Sequence, residues 1–464
     1  MRILSLTLWS KGRDVDIVEP VLSYLEIFKG AKVQRKSLRN NNWAWDIFFS
    51  DYEVLILPNA SGAIEYFEAA RLASQLGKRV YCFVSEGDFI GRQAAINQSF
   101  WGWNHEHLPV ADIYFLWSHR TKKYIEDHLE DCPPNIQVCG GTGFDKYRII
   151  KYSKTKCFGE SIRINLDQQV VGIAGWCFSS IYEREYELST MSKVLTRDEF
   201  HALRDSFPLV QQMIRDLLLA FPKVLFVLKP HPANPYHSSE AAKSQFSEFR
   251  LAAELENHWI APTNAEIGQL IFASDLWISF ISTTSMEAWL LKKPTIAIRP
   301  LSSLEPELSS LVRGSPRASN SKELIEWTKV ILSKNELREF DELKLEREKI
   351  ITEVLNYSDG LNHKRAVESI CKNLEISKSS YVKFDQFIFK KLVITLTIGF
   401  IHRLIYPSAL RFIVYWQYKK FLRGVEYRSS FYSEEERSEE TRKYNEGVRF
   451  FHSRGMDCVT RAEV

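Results

Sequence analysis

The 464-residue chain lacks three features that would narrow its class at once. Its seven cysteines are odd in number and include no C-x-x-C pair, so neither a zinc site nor a complete disulfide framework is indicated, and we expect reduced thiols. Its net charge is only +3, which is too small for a general nucleic-acid binder, so we expect no nucleic-acid partner. No apolar run reaches the roughly 18 residues of a membrane-spanning helix.

The N-terminal apolar run, residues 1–8, is followed by charged residues and is too short for a signal-peptide core. It predicts a first β-strand. Together with the expected thiols, this favours a cytoplasmic protein.

Short apolar segments alternate with helical ones along most of the chain. Strands are predicted at 3–8, 54–57, 79–84, 113–117 and 135–139, and then, after a polar stretch at 150–167, at 170–175, 224–228, 276–281 and 295–298. This alternation is typical of βαβ units and of parallel sheets covered on both faces. We therefore predict an α/β protein with two Rossmann-like, doubly wound lobes at 1–160 and 161–378, the second with closing helices, and an α-helical extension at 379–464.

A lysine and a histidine follow one predicted strand end, in the order Lys229, Pro230, His231, Pro232. The two prolines fix φ and remove backbone donors, so the loop is stiff and the imidazole well aimed. Open α/β sheets bind ligands at this edge, and both side chains suit a phosphate leaving group. The alternative is a rigid connecting loop whose histidine caps a carbonyl.

Four consecutive hydroxyl residues, Ser282, Thr283, Thr284 and Ser285, link another predicted strand to a helix. Hydroxyls and free N–H groups at a helix start bind anions, although a simple N-cap has the same pattern. Glu287 in the first turn suits a ribose diol. Gly175, which ends the strand at 170–175, is a further predicted nucleotide contact. Two phosphate-suited loops in one lobe are more specific than either loop alone.

In the first lobe, Glu86 and Gly87 follow the strand at 79–84. We expect Glu86 to deprotonate an acceptor hydroxyl, with Asp88 as an alternative base and an ordinary strand-end turn as the competing interpretation. His105 and His107 have no further ligands nearby in the sequence, so we predict a surface loop and no metal site.

The segment 383–423 has eight basic residues against one acid, interleaved with aromatic and aliphatic side chains. This mixture predicts helices, broken at Pro407, that lie in the interface of an anionic membrane. The alternative is a helical hairpin packed on the lobes, with its lysines extended towards solvent. The charged tail after Ser430 is predicted to be a surface segment.

The order of the acidic-glycine, His-Pro and Ser/Thr elements resembles the bacterial sialyltransferases, polysialyltransferases and related capsule transferases. It is also similar to CDP-glycerol glycerophosphotransferases and to the proteins called surface carbohydrate biosynthesis proteins. The resemblance spans about residues 1–375 and includes the turn formed by Gly143, Phe144 and Asp145.

The resemblance implies a GT-B fold with the acceptor on lobe one, the nucleotide on lobe two, and no essential metal or cofactor. His231 and Pro232 match the His-Pro element, and Ser282, Thr283, Thr284 and Ser285 match the Ser/Thr element. Glu86 matches the acidic element only in part, because Ser85 stands where the family has a second acid.

The resulting expectation is a glycosyltransferase that moves a sugar from a nucleotide donor, with a CMP-activated acidic sugar favoured. The acceptor would be a growing surface glycan or a lipid-linked molecule, reached from the inner face of the membrane. A CDP-glycerol-type glycerophosphotransferase, a UDP-sugar 2-epimerase and a non-catalytic glycan-assembly partner are the alternatives.

Overall fold

The computed structural model describes residues 1–39, 43–60, 63–87, 101–129, 135–153, 168–176, 178, 181, 185–188, 195–231, 247–262, 265–300, 310–333, 337–376, 385–405 and 432–454. These residues form two compact units. Unit 1 takes the described residues of Met1–Gly87, Ile96–Ile150 and Leu355–Val464, and unit 2 takes those of Lys151–Val354.

Unit 1 is built on six parallel strands in the order β2-β1-β3-β4-β5-β6. The strands are β1 (Arg2–Thr7), β2 (Lys32–Ser37), β3 (Val54–Leu57), β4 (Arg79–Phe83), β5 (Ile113–Leu116) and β6 (Ile136–Val138). All residues of β3 and β5 are apolar and buried, as expected for parallel strands covered on both faces. The edge strand β2 is polar, and the sequence pattern missed it.

Helices cover the two faces of the unit 1 sheet. They are α1 (Arg13–Lys29), α2 (Trp43–Phe49), α3 (Ile64–Gln75), α4 (His119–His128) and the short α5 (Lys146–Ile149). On one face, Val18 and Leu22 of α1 pack with Ile3, Ile56 and Phe115 in one buried apolar cluster. Gly30 ends α1 in the left-handed conformation, with φ at 63°, and its N–H donates to Leu25 O.

The helices near the C-terminus also belong to unit 1. They are α12 (Asn362–Leu374), α13 (Gln386–Ile405) and α14 (Glu434–Ser453), of which α12 adds Ala366, Val367 and Ile370 to the cluster beneath α1. The predicted division put residues up to 378 in the second lobe, whereas the structure groups 355–376 with unit 1 because α12 packs on α1. The helical C-terminal extension is confirmed.

The prediction that the tail after Ser430 is only a surface segment is wrong. Tyr444 of α14 donates to Asp16 Oδ1 at 2.7 Å, and Lys146 Nζ donates to Asp16 Oδ2 at 2.8 Å. Arg437 of α14 is buried in an ion pair with Glu19 of α1. Buried charges need partners of this kind, and the partners lie hundreds of residues away in the sequence.

Unit 2 has a second sheet of six parallel strands, in the order β12-β11-β10-β7-β8-β9. The strands are β7 (Val170–Ala174), β8 (Leu225–Lys229), β9 (His258–Ile260), β10 (Leu276–Ser279), β11 (Thr295–Ile298) and β12 (Arg317–Ala318). β7, β8 and β9 follow one another towards one edge of the sheet, and β10, β11 and β12 follow one another towards the other edge. The strand order therefore reverses between β7 and β10.

The helices of unit 2 are α6 (Arg197–Ala220), α7 (Ile267–Ala273), α8 (Thr284–Leu290), α9 (Ser321–Leu332), α10 (Arg338–Asp341) and α11 (Lys344–Leu355). Separate apolar clusters cover the two faces of the sheet, one around Phe200 and Leu217 of α6 and one around Leu270 of α7. The predicted α/β class with two Rossmann-like, doubly wound units is confirmed. None of the helices in the described part of the chain combines the length and hydropathy needed to cross a bilayer.

Candidate functional site

The carboxyl edge of the unit 2 sheet carries both predicted donor loops. The reversal of strand order between β7 and β10 makes this edge the position where open α/β sheets bind ligands. Gly175 follows β7, His231 lies two residues after β8, and Ser282 lies three residues after β10. Pro232 lies outside the described residues.

The β8 loop is held against β7 by its backbone. Gly175 N donates to Lys229 O at 2.8 Å, so the ends of the two strands are fixed together. Lys229 is buried, and burial lowers the pKa of its ammonium group to about 8. An anion bound beside this lysine would offset the cost of burying its charge. His231 is partly exposed at the end of the described loop.

A directed chain of hydrogen bonds runs through the hydroxyl loop after β10. The indole N–H of Trp277 donates to Thr284 Oγ1 at 2.9 Å, and Thr284 Oγ1 donates to Ser282 Oγ at 3.0 Å. Thr284 N–H also donates to Ser282 Oγ, at 3.2 Å. Because Ser282 Oγ accepts both bonds, its own proton is left to donate outward. Such chains polarise each member in turn, which strengthens the last donor.

Ser285 at the end of the hydroxyl loop and Glu287 beyond it are buried in the protein. Ser285 is buried, and its Oγ lies 2.7 Å from Ser279 Oγ at the end of β10. Glu287 is also buried, in the first turn of α8. Ser282, Thr283 and Thr284 are partly exposed, so solvent or a ligand can reach this side of the loop.

Glu248 is a buried carboxyl group at this edge that sequence reasoning missed. Its Oε1 accepts a hydrogen bond from Trp176 N at 2.9 Å, directly after Gly175. Burial raises the pKa of Glu248 to about 7, against the hydrogen bond from Trp176. A Cβ atom on Gly175 would lie 2.1 Å from that same Oε1. Glycine at 175 leaves room for this carboxyl group and for the backbone atoms Lys229 O and His231 N, which would lie 3.1 Å and 3.2 Å from that Cβ atom.

Arg299 is a second missed residue at this edge. It follows β11 directly and is buried, and its backbone N–H donates to Ala318 O at 2.8 Å. A buried cation one strand away from the hydroxyl loop adds to the positive charge of the edge. The signal in the sequence was an arginine at the end of the buried strand Thr295–Ile298, at the position where a parallel sheet presents ligand-binding groups.

The predicted acidic element of unit 1 lies at the carboxyl edge of its own sheet. Glu86 forms an ion pair with Arg13 of α1, and both side chains are partly exposed. Asn59 Nδ2, after β3, donates to Ser85 Oγ at 2.6 Å. A Cβ atom on Gly87 would lie 2.2 Å from the indole of Trp117, so glycine is required there for packing. Asp88 lies outside the described residues.

The turn containing Gly143, Phe144 and Asp145 is built into the core of unit 1. Asp145 is buried and accepts hydrogen bonds from His363 N at 2.7 Å and from His363 Nδ1 at 2.8 Å. Thr142 Oγ1 donates to Ile17 O at 2.8 Å. The turn therefore connects α1 with α12, and its polar groups are used within the protein.

No family model and no curated protein sequence matches the chain. Solved structures do match it. A protein assigned as a UDP-N-acetylglucosamine 2-epimerase from Listeria monocytogenes is 16% identical, with 83% of this chain and 99% of that chain covered, at a TM-score of 0.51. The S. aureus MnaA–UDP co-structure is 13% identical, with 83% and 100% covered, at 0.50. The wall teichoic acid polymerase TagF is 9% identical, with 81% and 89% covered, at 0.48.

The chain is thus similar in fold to nucleotide-sugar enzymes. At these identities the likeness shows the fold alone, which agrees with the GT-B-like fold expected from the sequence. It gives no support to the sialyltransferases in particular.

The basic segment predicted at 383–423 is described only as α13. Ile388 and Thr395 on its inner face are buried, and Lys391 Nζ lies 2.5 Å from Glu68 Oε2 of α3. Four large apolar side chains on its outer face are exposed by 41–59%: Phe389, Val393, Ile394 and Leu396. The helix is therefore packed on unit 1 along one side and apolar along the other. Residues 383–384 and 406–423 lie outside the described residues.

Among the described residues, no group of three or more histidine, cysteine, aspartate or glutamate side chains is arranged to hold a metal ion. His107 stacks on Trp101, with ring centroids 5.0 Å apart.

Proposed function

We propose that the protein is a nucleotide-sugar-dependent glycosyltransferase that binds its donor at the carboxyl edge of unit 2. The observation that supports this proposal is that Lys229 and His231 follow β8 and Ser282 follows β10, the two strands that flank β7 beside the reversal of strand order. Donors fixed before the ligand arrives stabilise the charge that develops on a leaving phosphate, because they need no reorganisation during the reaction.

Each residue of this edge has a role in the proposal. Lys229 supplies positive charge, and Ser282 and His231 donate hydrogen bonds to phosphate oxygens. Glu248 holds the turn at Gly175 without adding negative charge when it is protonated. Thr283, Thr284, Ser285 and Glu287 shape the hydroxyl loop and its approach to the nucleotide.

The transferred group and its acceptor are inferred from the sequence resemblance. It favours a CMP-activated acidic sugar, transferred to a growing glycan or a lipid-linked acceptor of surface polysaccharide, with Glu86 as the predicted base. A CDP-glycerol-type glycerophosphotransferase uses the same phosphate chemistry and stays an alternative, as does a non-catalytic assembly partner.

A UDP-sugar 2-epimerase is the second candidate. It is favoured by the likeness in fold to the structure assigned as a UDP-N-acetylglucosamine 2-epimerase from Listeria monocytogenes, of which the match covers 99%. An epimerase would turn over a UDP-sugar without an acceptor, whereas a transferase requires one. Product analysis with and without a hydroxyl acceptor separates these two functions.

Membrane association through α13 is part of the proposal. The outer face of α13 presents Phe389, Val393, Ile394 and Leu396, and no acidic residue occurs from 386 to 405. A helix that exposes apolar side chains among basic residues can lie in the bilayer interface, and each basic residue near anionic lipid adds about 1 kcal/mol. We infer a peripheral location on the inner face of the membrane, where a lipid-linked acceptor is available.

A thermal-shift screen of CMP, CDP, UDP and GDP tests donor binding. A ligand at 100 times its dissociation constant adds about 2.7 kcal/mol to the stability of the native state. We expect one nucleotide to stabilise the full chain and His231→Ala to weaken its binding about tenfold or more, since a hydrogen bond to a charged group contributes about 1.5–3 kcal/mol. His201→Ala, on the exposed side of α6, is the matched control. Equal binding by wild type and His231→Ala would refute the assignment.

Co-sedimentation with vesicles containing phosphatidylserine tests the membrane contact. We expect the double variant Phe389→Ser, Leu396→Ser to stay in the supernatant while wild type sediments. Phe49→Ser, which removes an exposed aromatic side chain of α2, should sediment like wild type. Sedimentation of the double variant with the vesicles would contradict the assignment of this face.

A further inference from the structure

The carboxyl edge of the unit 1 sheet holds a second polar constellation, centred on α1. The strand order of this sheet reverses between β1 and β3, so the loops after these two strands flank the ligand-binding position of an open α/β sheet. The chain after β1 leads through Leu8 to Asp14 in the first turn of α1, and the chain after β3 leads to Tyr66 in α3.

Asp14 and Tyr66 are joined by a short hydrogen bond across this position. The Tyr66 hydroxyl donates to Asp14 Oδ2 at 2.5 Å and accepts a hydrogen bond from Leu8 N at 3.0 Å. Its single proton is therefore committed to the carboxylate. Tyr66 is buried, whereas Asp14 is partly exposed. The pair thus consists of a carboxylate that a ligand can reach and a phenol that holds it in place.

The electrostatics of the pair suit proton transfer. Burial raises the pKa of Asp14, and the Tyr66 hydrogen bond, the Arg13 charge and the Arg39 charge oppose this rise. Charged groups act on Asp14 from its own helix (Arg13) and from the chain after β2 (Arg39), and Arg13 is itself paired with Glu86. A base is most effective when its proton affinity lies close to the working pH, so a carboxylate with a raised pKa is the better acceptor.

Glu86 is used differently, because its carboxylate is already paired with Arg13. Trp9, in the chain after β1, stacks with Arg39, with the guanidinium carbon 3.9 Å from the indole centroid. An aromatic ring next to polar side chains is typical of sites that bind small polar molecules.

We propose that Asp14, held by Tyr66, takes the place of Glu86 as the acid–base residue of unit 1 and accepts the proton of an acceptor hydroxyl. This inference rests on the proposed transferase function. In the step, the hydroxyl oxygen forms a bond to the transferred carbon of the donor, and the bond from that carbon to the phosphate oxygen breaks. The hydroxyl proton passes to Asp14, and the bonding electron pair leaves with the nucleotide.

The test compares Asp14→Asn, Tyr66→Phe and Glu86→Gln in the full chain, with Asp51→Asn as a control on an exposed acid. Turnover and nucleotide binding are measured between pH 5 and 9. We expect Asp14→Asn to lower kcat at least 100-fold, as is usual for loss of a general base, with nucleotide affinity unchanged. Tyr66→Phe should move the acidic limb of the kcat profile to higher pH, because the lost hydrogen bond had favoured the ionised carboxylate.

A purely structural role for the pair would leave the acidic limb in place. The inference is overturned if Asp14→Asn keeps wild-type turnover, or if Tyr66→Phe leaves the limb where it is or moves it to lower pH. A 100-fold loss of kcat in Glu86→Gln, with kcat unchanged in Asp14→Asn, would identify Glu86 as the base. If wild type binds none of the four nucleotides, the proposed function fails, and that outcome differs from normal binding with an unaffected Asp14→Asn.

Discussion

Replacing Glu248 by glutamine should change how the stability of unit 2 depends on pH. Burial raises the pKa of this carboxyl group from 4.5 to about 7. At a pH between these two pKa values, Glu248 is therefore protonated in folded unit 2 and ionised in the unfolded chain. The free energy of unfolding then falls as pH rises through this window, by about 1.4 kcal/mol for each pH unit and by about 3 kcal/mol in total. Above pH 7 Glu248 is ionised in both states, and the stability that its protonated form contributes at lower pH is lost completely.

Glutamine cannot ionise, yet its carbonyl oxygen can still accept the hydrogen bond from Trp176 N. We therefore expect the free energy of unfolding of Glu248→Gln not to show this fall between pH 5 and 8. The stability of the variant relative to wild type should then be greater at pH 8 than at pH 5. Urea unfolding followed by tryptophan fluorescence at these pH values measures the difference, because the contribution of unit 1 is the same in both proteins.

Glu256→Gln is the matched control, since Glu256 is an exposed acid in the same unit. It should follow wild type at every pH. If the free energies of Glu248→Gln and wild type fall in parallel between pH 5 and 8, the reasoning about burial at the Gly175 turn is wrong.

Three further substitutions test the packing arguments. Gly175→Ala should destabilise unit 2 by about 1–3 kcal/mol and weaken nucleotide binding, because its Cβ would lie 2.1 Å from a buried carboxyl oxygen; urea unfolding and calorimetric titration check both effects. Gly87→Ala should cost a similar amount, since its Cβ would lie 2.2 Å from the Trp117 ring, but should leave nucleotide affinity unchanged. Arg437→Met should lower the free energy of unfolding by about 3 kcal/mol, because the buried Glu19 loses one of its charged partners. Limited proteolysis should then cut α14 first.

The strands of uniform apolar composition were predictable from the sequence, and the polar or very short ones were not. β3, β5, β7 and β10 are buried on both faces, so their side chains are apolar or small throughout. The edge strand β2 has the sequence KVQRKS, which carries no such pattern because only its backbone pairs with β1. β9 and β12 have three and two residues, too few for a periodicity to be recognised.

Some residues of the candidate site were likewise predictable from the local sequence, and others were not. The positions of Lys229 and Ser282 at strand ends were predictable, because each strand is recognisable within one local segment, and their roles stay predictions. Glu248 was not, because its hydrogen-bond partner Trp176 is 72 residues away. Asp14 was not either, since its partner Tyr66 is 52 residues away and the pair exists only where the loops after β1 and β3 meet.

The central claim is that the carboxyl edge of unit 2 holds the nucleotide. Hydrogen–deuterium exchange of the full chain, with and without the nucleotide that stabilises it best, tests this claim most directly. We predict slower exchange in peptides that contain Gly175, Lys229 and Ser282, with no change in peptides from α4 and α14. Measurable nucleotide binding with slower exchange confined to unit 1 would contradict the claim.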